Sequence, residues 1–554
     1  MHKFMRPIVV VALTAVTALV VAACGSSSSS STSTAGKNGG TVTIAAGTAP
    51  LSPDQGYDFT TQGTELYSVV ATPLLTFRRG VQGTASEQIL PALAQSLPKI
   101  SGGGTVYTLY LRPGLKYSNG APVMASDFTH AIERDLKIPW IADSFLTSFI
   151  KGAAAYAAPH SKLTTISGIK TNNATREIQI TLTKPFAPFE DVLALSGTAP
   201  VPASTPFKNL TSTGTIGDGP YKWGPISVGH SYTLIKNTSF SGVPTVPKGH
   251  AAKIVFNVNS NVLTDAENVL NNSADVFDPG DTIPPTVLPS VSSKARGRYQ
   301  QIPTNSTFYF FFNVTKKPFN NLYARKAVLA ALDLRALSRY DSGFLTEDCH
   351  LIPDGITGHS TPSNCASLTG HAADGPPNMS LAMSYMKKSG MKGQPVTVWG
   401  ETRSPRAQYA TYFASVLDKL GFKATPKLIN SGVYFGVIGA PSTKPQAGFA
   451  DWIQDFPNPF DFMQLFTAAG IPSENYGYVN DPHYNSEVNK LEGKPLAAVA
   501  SQWAALDDYA VSKGYYAAFG HESFPKFESS SMLYSAPSFS LEYELDLTSL
   551  ELAK

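Results

Sequence analysis

Cys349 and Cys365 stand sixteen residues apart, with His350, His359 and His371 among or just beyond them. Thiols and imidazoles at such close range can pair as a disulfide or hold a divalent metal. The spacings match no common zinc pattern, and the two cysteines flank a Pro-containing loop in a chain that opens with an export-like leader. A disulfide pinning that loop is expected, with a metal site as the sharper alternative. Asp455, between Trp452 and Pro457, reads from residue types alone as a turn cap ahead of Pro457 and Pro459, a role Asp fills well. Asp507 and Asp508 are adjacent in a predicted helix, point to different faces, and read as solvated. Motifs for covalent chemistry are missing: there is no G-x-S-x-G elbow, no P-loop and no H-E-x-x-H. Gly217-x-Gly219 runs into Pro220 where a dinucleotide loop would continue. No catalytic residue and no cofactor is expected. A triad assembled from distant positions leaves no such motif, so an envelope hydrolase stands as the alternative from a different class.

The elements that must position these residues are mixed α and β. Thr105 to Arg112 and Arg176 to Thr183 alternate as strands, and Pro113-Gly114 and Ser118-Asn119-Gly120 turn the chain. Ser126 is placed as the cap of a helix whose Phe128, Ile132 and Leu136 recur at helical spacing. A single helix is expected over Tyr323 to Arg339, with Ala324, Ala327, Val328, Ala331 and Leu334 on one face. Val396 to Trp399 reads as a strand. Tyr409, Phe413, Val416, Leu417 and Leu420 form a helical stripe stopped by Gly421, and Lys427 to Ile429 resumes as a strand. Strand–helix–strand in that order predicts a parallel α/β unit.

The leader sets the compartment. His2, Lys3 and Arg6 precede an apolar run from Ile8 to Ala23, a signal-peptide pattern rather than a spanning helix. Val21-Ala22-Ala23-Cys24 resembles a bacterial lipobox, which makes residues 1–23 a cleaved signal and Cys24 the lipidated first residue. Residues 24–40 are then a Ser/Thr/Gly tether. About 515 residues follow, enough for two or three domains with large cores. Without Lys3 and Arg6 the chain holds 41 basic against 40 acidic residues, so no basic face argues for nucleic acid.

Several segments together resemble the family 5 extracellular solute-binding proteins of bacterial ABC importers, the peptide/opine/nickel class. The strongest is Leu109 to Leu136, with its Arg112-Pro113-Gly114 turn, its Tyr117-Ser118-Asn119-Gly120 turn and its helix entered through Ala125-Ser126-Asp127. Thr41 to Ala45 with Leu51-Ser52-Pro53, then Gly217 to Tyr221, then Phe310 to Leu337, and finally Trp452 to Pro459 follow in the family's order.

The resemblance implies a periplasmic-binding-protein-like type II α/β fold, two lobes joined by a hinge, with an extra domain inserted in the first. Lobe I would take residues 40–75, 199–301 and 523–554, the inserted domain 76–198, and lobe II 302–522. Asp455 would meet the α-ammonium of a peptide ligand, a pairing that offsets the cost of holding a carboxylate in a closed cleft. Trp452, Tyr57, Phe59 and Tyr434 would lie near that cleft. The implied role is a lipid-anchored receptor on the outer face of the cell membrane. It would deliver short peptides, or another solute such as a metal chelate, an opine or a sugar, to an ABC permease and ATPase complex. No nucleic acid partner is expected.

Overall fold

The computed structural model describes residues 36–81, 83–138, 140–240, 242–533 and 545–554. Cys24, the leader and most of the tether lie outside the described residues. Among the described residues no helix is long and apolar enough to cross a membrane.

One eleven-stranded mixed sheet runs through the body. At one end, Thr41–Ala46 pairs in parallel with Lys253–Val258, which continues antiparallel into Ser231–Lys236 and Tyr221–Ser227. At the other end, Pro395–Glu401 lies parallel to both Lys423–Ile429 and Ala447–Ile453. The helix Arg406–Leu420 makes the crossover and buries Tyr409, Phe413, Val416, Leu417 and Leu420, which is the strand–helix–strand unit the stripe predicted. Gly421 ends that helix in the left-handed conformation, where a side chain is disfavoured.

Two long antiparallel strands, Tyr299–Phe312 and Tyr516–Glu528, cross from one end of the sheet to the other. Their outer portions pair with Val276–Phe277 on the first-lobe side and with Ala447–Ile453 on the second-lobe side. Their ladder shifts register between Pro303 and Thr307 and again between Phe308 and Tyr309. Pro303 has no N–H to give to a ladder, and such irregularities let a strand pair bend. A separate four-stranded antiparallel sheet, built from Lys99–Ser101, Val106–Tyr110, Ile169–Asn172 and Glu177–Thr181, packs on the helix Ala125–Asp135 in the stretch between the two lobes' strands.

Local expectations need four corrections. Ser126 does not cap its helix; Met124 is the cap residue, and Asp127 accepts the Met124 N–H at 2.9 Å and the Tyr117 hydroxyl at 3.0 Å. The helix expected over 323–339 is two, Leu322–Ala331 and Leu334–Tyr340, because Asp333 turns out of the first and caps the second through the Ala336 N–H. Asp507 and Asp508 are not solvated. Asp507 is fully buried and accepts the N–H groups of Leu351 and Ile352 and the Tyr516 hydroxyl. Asp508 accepts from His350, Ser360 and Asn364. Both carboxylates therefore hold down the loop that contains Cys349 and Cys365, which are joined as a disulfide.

Candidate ligand-binding site

A concavity of about 770 Å³ lies where the crossing strands leave one lobe for the other. Its walls come from every part of the molecule. Phe59 to Gln62 and Gly280 to Thr282 face it from one side, Ile141, Ala142, Ser144 and Phe145 from a second, and Arg403 to Arg406, Asp451 to Asp455, Ser473, Glu474 and Tyr476 from a third. Thr304, Asn305, Glu522 and Phe524 of the crossing strands form its back.

Strand ends place the polar groups. Glu401 to Arg406 leave the carboxyl end of Pro395–Glu401, and Trp452 to Asp455 leave the carboxyl end of its parallel neighbour Ala447–Ile453. Loops at the carboxyl ends of parallel strands are where open α/β sheets bind ligands. This rule was available from sequence once the parallel unit was recognised, and it would have found Arg403 and Arg406, which carry no motif.

Asp455, Trp452 and Phe59 line the cavity together. Phe59 stands edge-on to Trp140, with ring centroids 5.4 Å apart. Tyr57 and Tyr434, also expected near the cleft, do not line it. Tyr57 sits in a turn, its N–H donating to Asp54 O, and Tyr434 is buried with its hydroxyl donating to Phe449 O at 2.7 Å. The residue after it, Phe435, reaches the cavity instead. In a helix as short as Tyr434–Ile438, with aromatics adjacent, no periodicity tells which one faces outward.

The electrostatics are lopsided. Five carboxylates line the cavity (Asp281, Asp451, Asp455, Glu474 and Glu522) against two guanidiniums, Arg403 and Arg406. Arg406 is already committed: it bonds Glu401 at 3.0 Å and Asp451, and it lies over the Phe308 and Phe449 rings. Arg403 is half-exposed, with Glu401 at 3.4 Å as its ion-pair partner. Asp455 donates its backbone N–H to Asp461 Oδ2 at 2.8 Å, and Trp452 Nε1 donates to the same oxygen at 3.2 Å. Burial pushes the Asp455 carboxyl well up, and the charges of Asp461 and Glu474 push it further. Burial likewise raises Glu474, and raises Asp461 to about 7 despite the hydrogen bonds it accepts. Among the described residues no cation is among the chief causes that shift these three carboxyls. The lining contains no histidine, cysteine or lysine, so it offers no soft metal ligand.

Two α/β lobes spanned by paired strands, with a polar cavity between them, are the architecture of the two-lobed type II binding proteins. Residues 88–473 match the family of bacterial extracellular solute-binding proteins, family 5 Middle. The chain belongs to that family, whose members are transporter receptors and not enzymes. It is 23% identical over 413 residues to the oligopeptide-binding protein OppA of Bacillus subtilis (strain 168), covering 71% of this chain and 72% of that one. Its fold superposes on the clavulanic acid biosynthesis oligopeptide binding protein 2 with a TM-score of 0.83 at 20% identity, over 94% of this chain and 96% of the other. The Helicobacter pylori periplasmic binding protein DppA, solved with the peptide STSA, gives 0.73 at 18% identity, over 94% and 99%.

Proposed function

We propose that the protein is a lipid-anchored extracytoplasmic receptor that binds short peptides between its lobes and hands them to an ABC permease. The observation that carries this reading is Asp455 and Glu474 on the cavity wall with Asp461 hydrogen-bonded behind Asp455, three carboxyls that burial and one another's charge keep protonated. Like-charged carboxyls in a site shielded from water are costly until a cation arrives, and a peptide α-ammonium is a compact cation with three donors. Arg403, half-exposed at the same cavity, is a suitable partner for a carboxylate on the ligand. The volume lies in the range of small-ligand sites. The relatives with oligopeptide in their names and the peptide-bound neighbour agree with this class. The lipid anchor rests on Val21 to Cys24 and the tether behind it. The lobe boundaries given above, with the inserted domain at 76–198, form part of the same reading.

The test uses tag-free protein of residues 40–554, first by native mass spectrometry of whatever co-purifies. It then uses calorimetric titration with a free-amine tripeptide and its N-acetylated form. The free amine is expected to bind roughly 100-fold more tightly, a difference of about 3 kcal/mol. Asp455→Asn should erase that preference. Equal binding of the two peptides, or an unchanged preference in Asp455→Asn, would overturn the assignment of Asp455. A single co-purified non-peptide species would keep the receptor and replace its substrate class.

A further inference from the structure

Away from the cavity, a second polar cluster is buried where the disulfide loop meets the crossing strand Tyr516–Glu528. Asp348 and His521 are buried and His359 nearly so, and their Oδ2 and Nε2 atoms converge. Asp348 Oδ2 lies 3.2 Å from His359 Nε2 and 3.5 Å from His521 Nε2. Ligands about 2.0–2.1 Å from a tetrahedral ion sit roughly 3.3 Å from one another, so these separations are those of two edges of a coordination tetrahedron.

Protons on the neighbouring atoms sharpen the case. The Thr307 hydroxyl donates to Leu351 O at 2.6 Å, so its oxygen can only accept from His521 Nδ1, 3.0 Å away. Ser306 O, 3.3 Å from the same nitrogen, demands a proton there too. A neutral His521 therefore carries its proton on Nδ1 and turns a bare Nε2 lone pair toward a carboxylate oxygen. Two electron pairs facing each other in a buried site call for positive charge between them, supplied either by a second proton on the ring or by a metal ion. Nε2 of His521 has no hydrogen-bond partner, and neither has Nδ1 of His359.

The supporting shell is in place. Asp348 Oδ1 accepts from His350 Nδ1 at 2.7 Å and from the His350 backbone N–H at 3.0 Å, which fixes the carboxylate and leaves Oδ2 for another partner. His350 is itself held from the far side by Asp508 at 3.1 Å. Carboxylates and imidazoles oriented in this way from behind are the usual support of metal ligands. His359 Nε2 also lies 2.6 Å from Ser360 O. An ion would displace the proton on that nitrogen and leave the ring protonated on Nδ1, with the fourth position falling to a water, since Ser360 O stands too near Nε2 to share the ion with it. Cys349 and Cys365 lie next to the cluster, but as a disulfide they offer no thiolate.

We infer that Asp348, His359 and His521 form a resident site for a zinc-class divalent ion, distinct from the ligand cavity and tying the disulfide loop to the crossing strand. Two imidazoles and one carboxylate suit zinc and its neighbours in the first transition row better than magnesium or calcium. None of the three residues lines the cavity. On the crossing strand His521 precedes Glu522, which does line it, and successive strand residues face opposite sides.

The experiment takes tag-free protein of residues 40–554 with its disulfide intact, dialysed against chelator and titrated with Zn²⁺ alone. One ion per chain is expected, with a raised melting temperature that chelator reverses. Exchange for Co²⁺ followed by X-ray absorption should report two imidazoles on the ion, a readout on the unaltered protein that needs no variant to fold. His521→Gln and His359→Gln should each weaken Zn²⁺ binding at least about tenfold while leaving peptide affinity in place. The inference is overturned if the unaltered protein takes up no Zn²⁺, if the absorption spectrum shows no imidazole, or if the folded double variant binds Zn²⁺ as before. Peptide binding reports separately on the cavity, so failure of either reading is visible without the other.

Discussion

Asp461 sits behind Asp455 with its carboxyl raised to about 7 by burial, and Asp455 and Glu474 are raised alongside it. In the unfolded chain such groups release their protons near pH 4. Between that value and about 7 the folded protein holds more protons than the unfolded one, so this trio makes stability fall as pH rises. Urea unfolding at pH 5 and pH 8 should show the fall, and Asp461→Asn should reduce it; an identical pH slope in the variant would remove Asp461 as its source. Binding runs in the opposite direction. An ammonium that pairs with these carboxyls expels a proton, so peptide affinity should tighten as pH rises toward the raised pKa of Asp461, about 7, and level off above it, by up to about tenfold per pH unit for each proton released. Titration in two buffers of different ionisation heat measures that proton directly, and a released count of zero would contradict the scheme. Gly219 shows a different residue-level constraint. A Cβ there would lie 2.4 Å from Val69 O, while its own N–H donates to Val70 O at 2.8 Å. Gly219→Ala is expected to cost about 1–3 kcal/mol in chemical denaturation, with peptide affinity little changed.

The loop from Asp348 to Cys365 is held by a cross-link and by two carboxylates of one helix. In the chain-entropy picture, closing the loop between Cys349 and Cys365, a separation of 16, contributes about 3 kcal/mol. Replacing both cysteines by Ala should lower denaturation stability by about that amount. Asp507→Ala should cost a further 1–3 kcal/mol by leaving the Leu351 and Ile352 N–H groups without an acceptor. If Asp507→Ala proved neutral, the loop would be held by the disulfide alone. This region also marks how far sequence reaches. Cysteine count and compartment were local clues and pointed to the pair, whereas adjacent carboxylates on a helix read as a wet face because the loop that covers them comes from some 150 residues earlier. Helices and strands with strong periodicity, such as Arg406–Leu420 between its two parallel strands, were legible to within a few residues. The break at Asp333 was not, since a capping Asp in the middle of an apolar stripe competes with the stripe itself. For the cavity, the block from Trp452 to Asp455 announced itself by motif. Arg403, Glu474 and Phe435 come from loops and a short helix whose placement only long-range packing decides.

The stretch that carries Arg134, Trp140, Phe149 and Phe186 is gripped from two sides. Toward the first lobe, Arg134 is fully buried, donating to Asp54 and to the carbonyls of Pro206 and Lys208, and Trp140 Nε1 donates to Asp58 O at 3.2 Å. Toward the second, Phe149 stacks on Phe186 at 3.6 Å, Phe460 meets both edge-on, and Lys184 pairs with Glu492. The polar grip threads a guanidinium among fixed carbonyls, while the aromatic one is a face that can part, so opening of the cleft should separate Phe460 from Phe149 and Phe186. Phe460→Ala is then expected to enlarge the ligand-free radius of gyration in solution scattering and to weaken peptide binding about tenfold, through a shifted open–closed balance. Lys184 is nearly half-exposed, so Lys184→Ala should change affinity far less. A variant Phe460→Ala with unaltered scattering and affinity would place the parting surface elsewhere. The threading of the chain through its sheet has one more consequence, for the order in which the body can be built. The core around Val42 and Ile44 is completed by Met532, Leu545, Leu547 and Leu550, and Lys37 bridges to Leu552. The first strand to emerge thus waits for the last residues to arrive, nearly 500 positions later, before its own lobe can close. That lobe is therefore the slow part of the molecule to assemble, because its core rests on the contacts most distant in sequence.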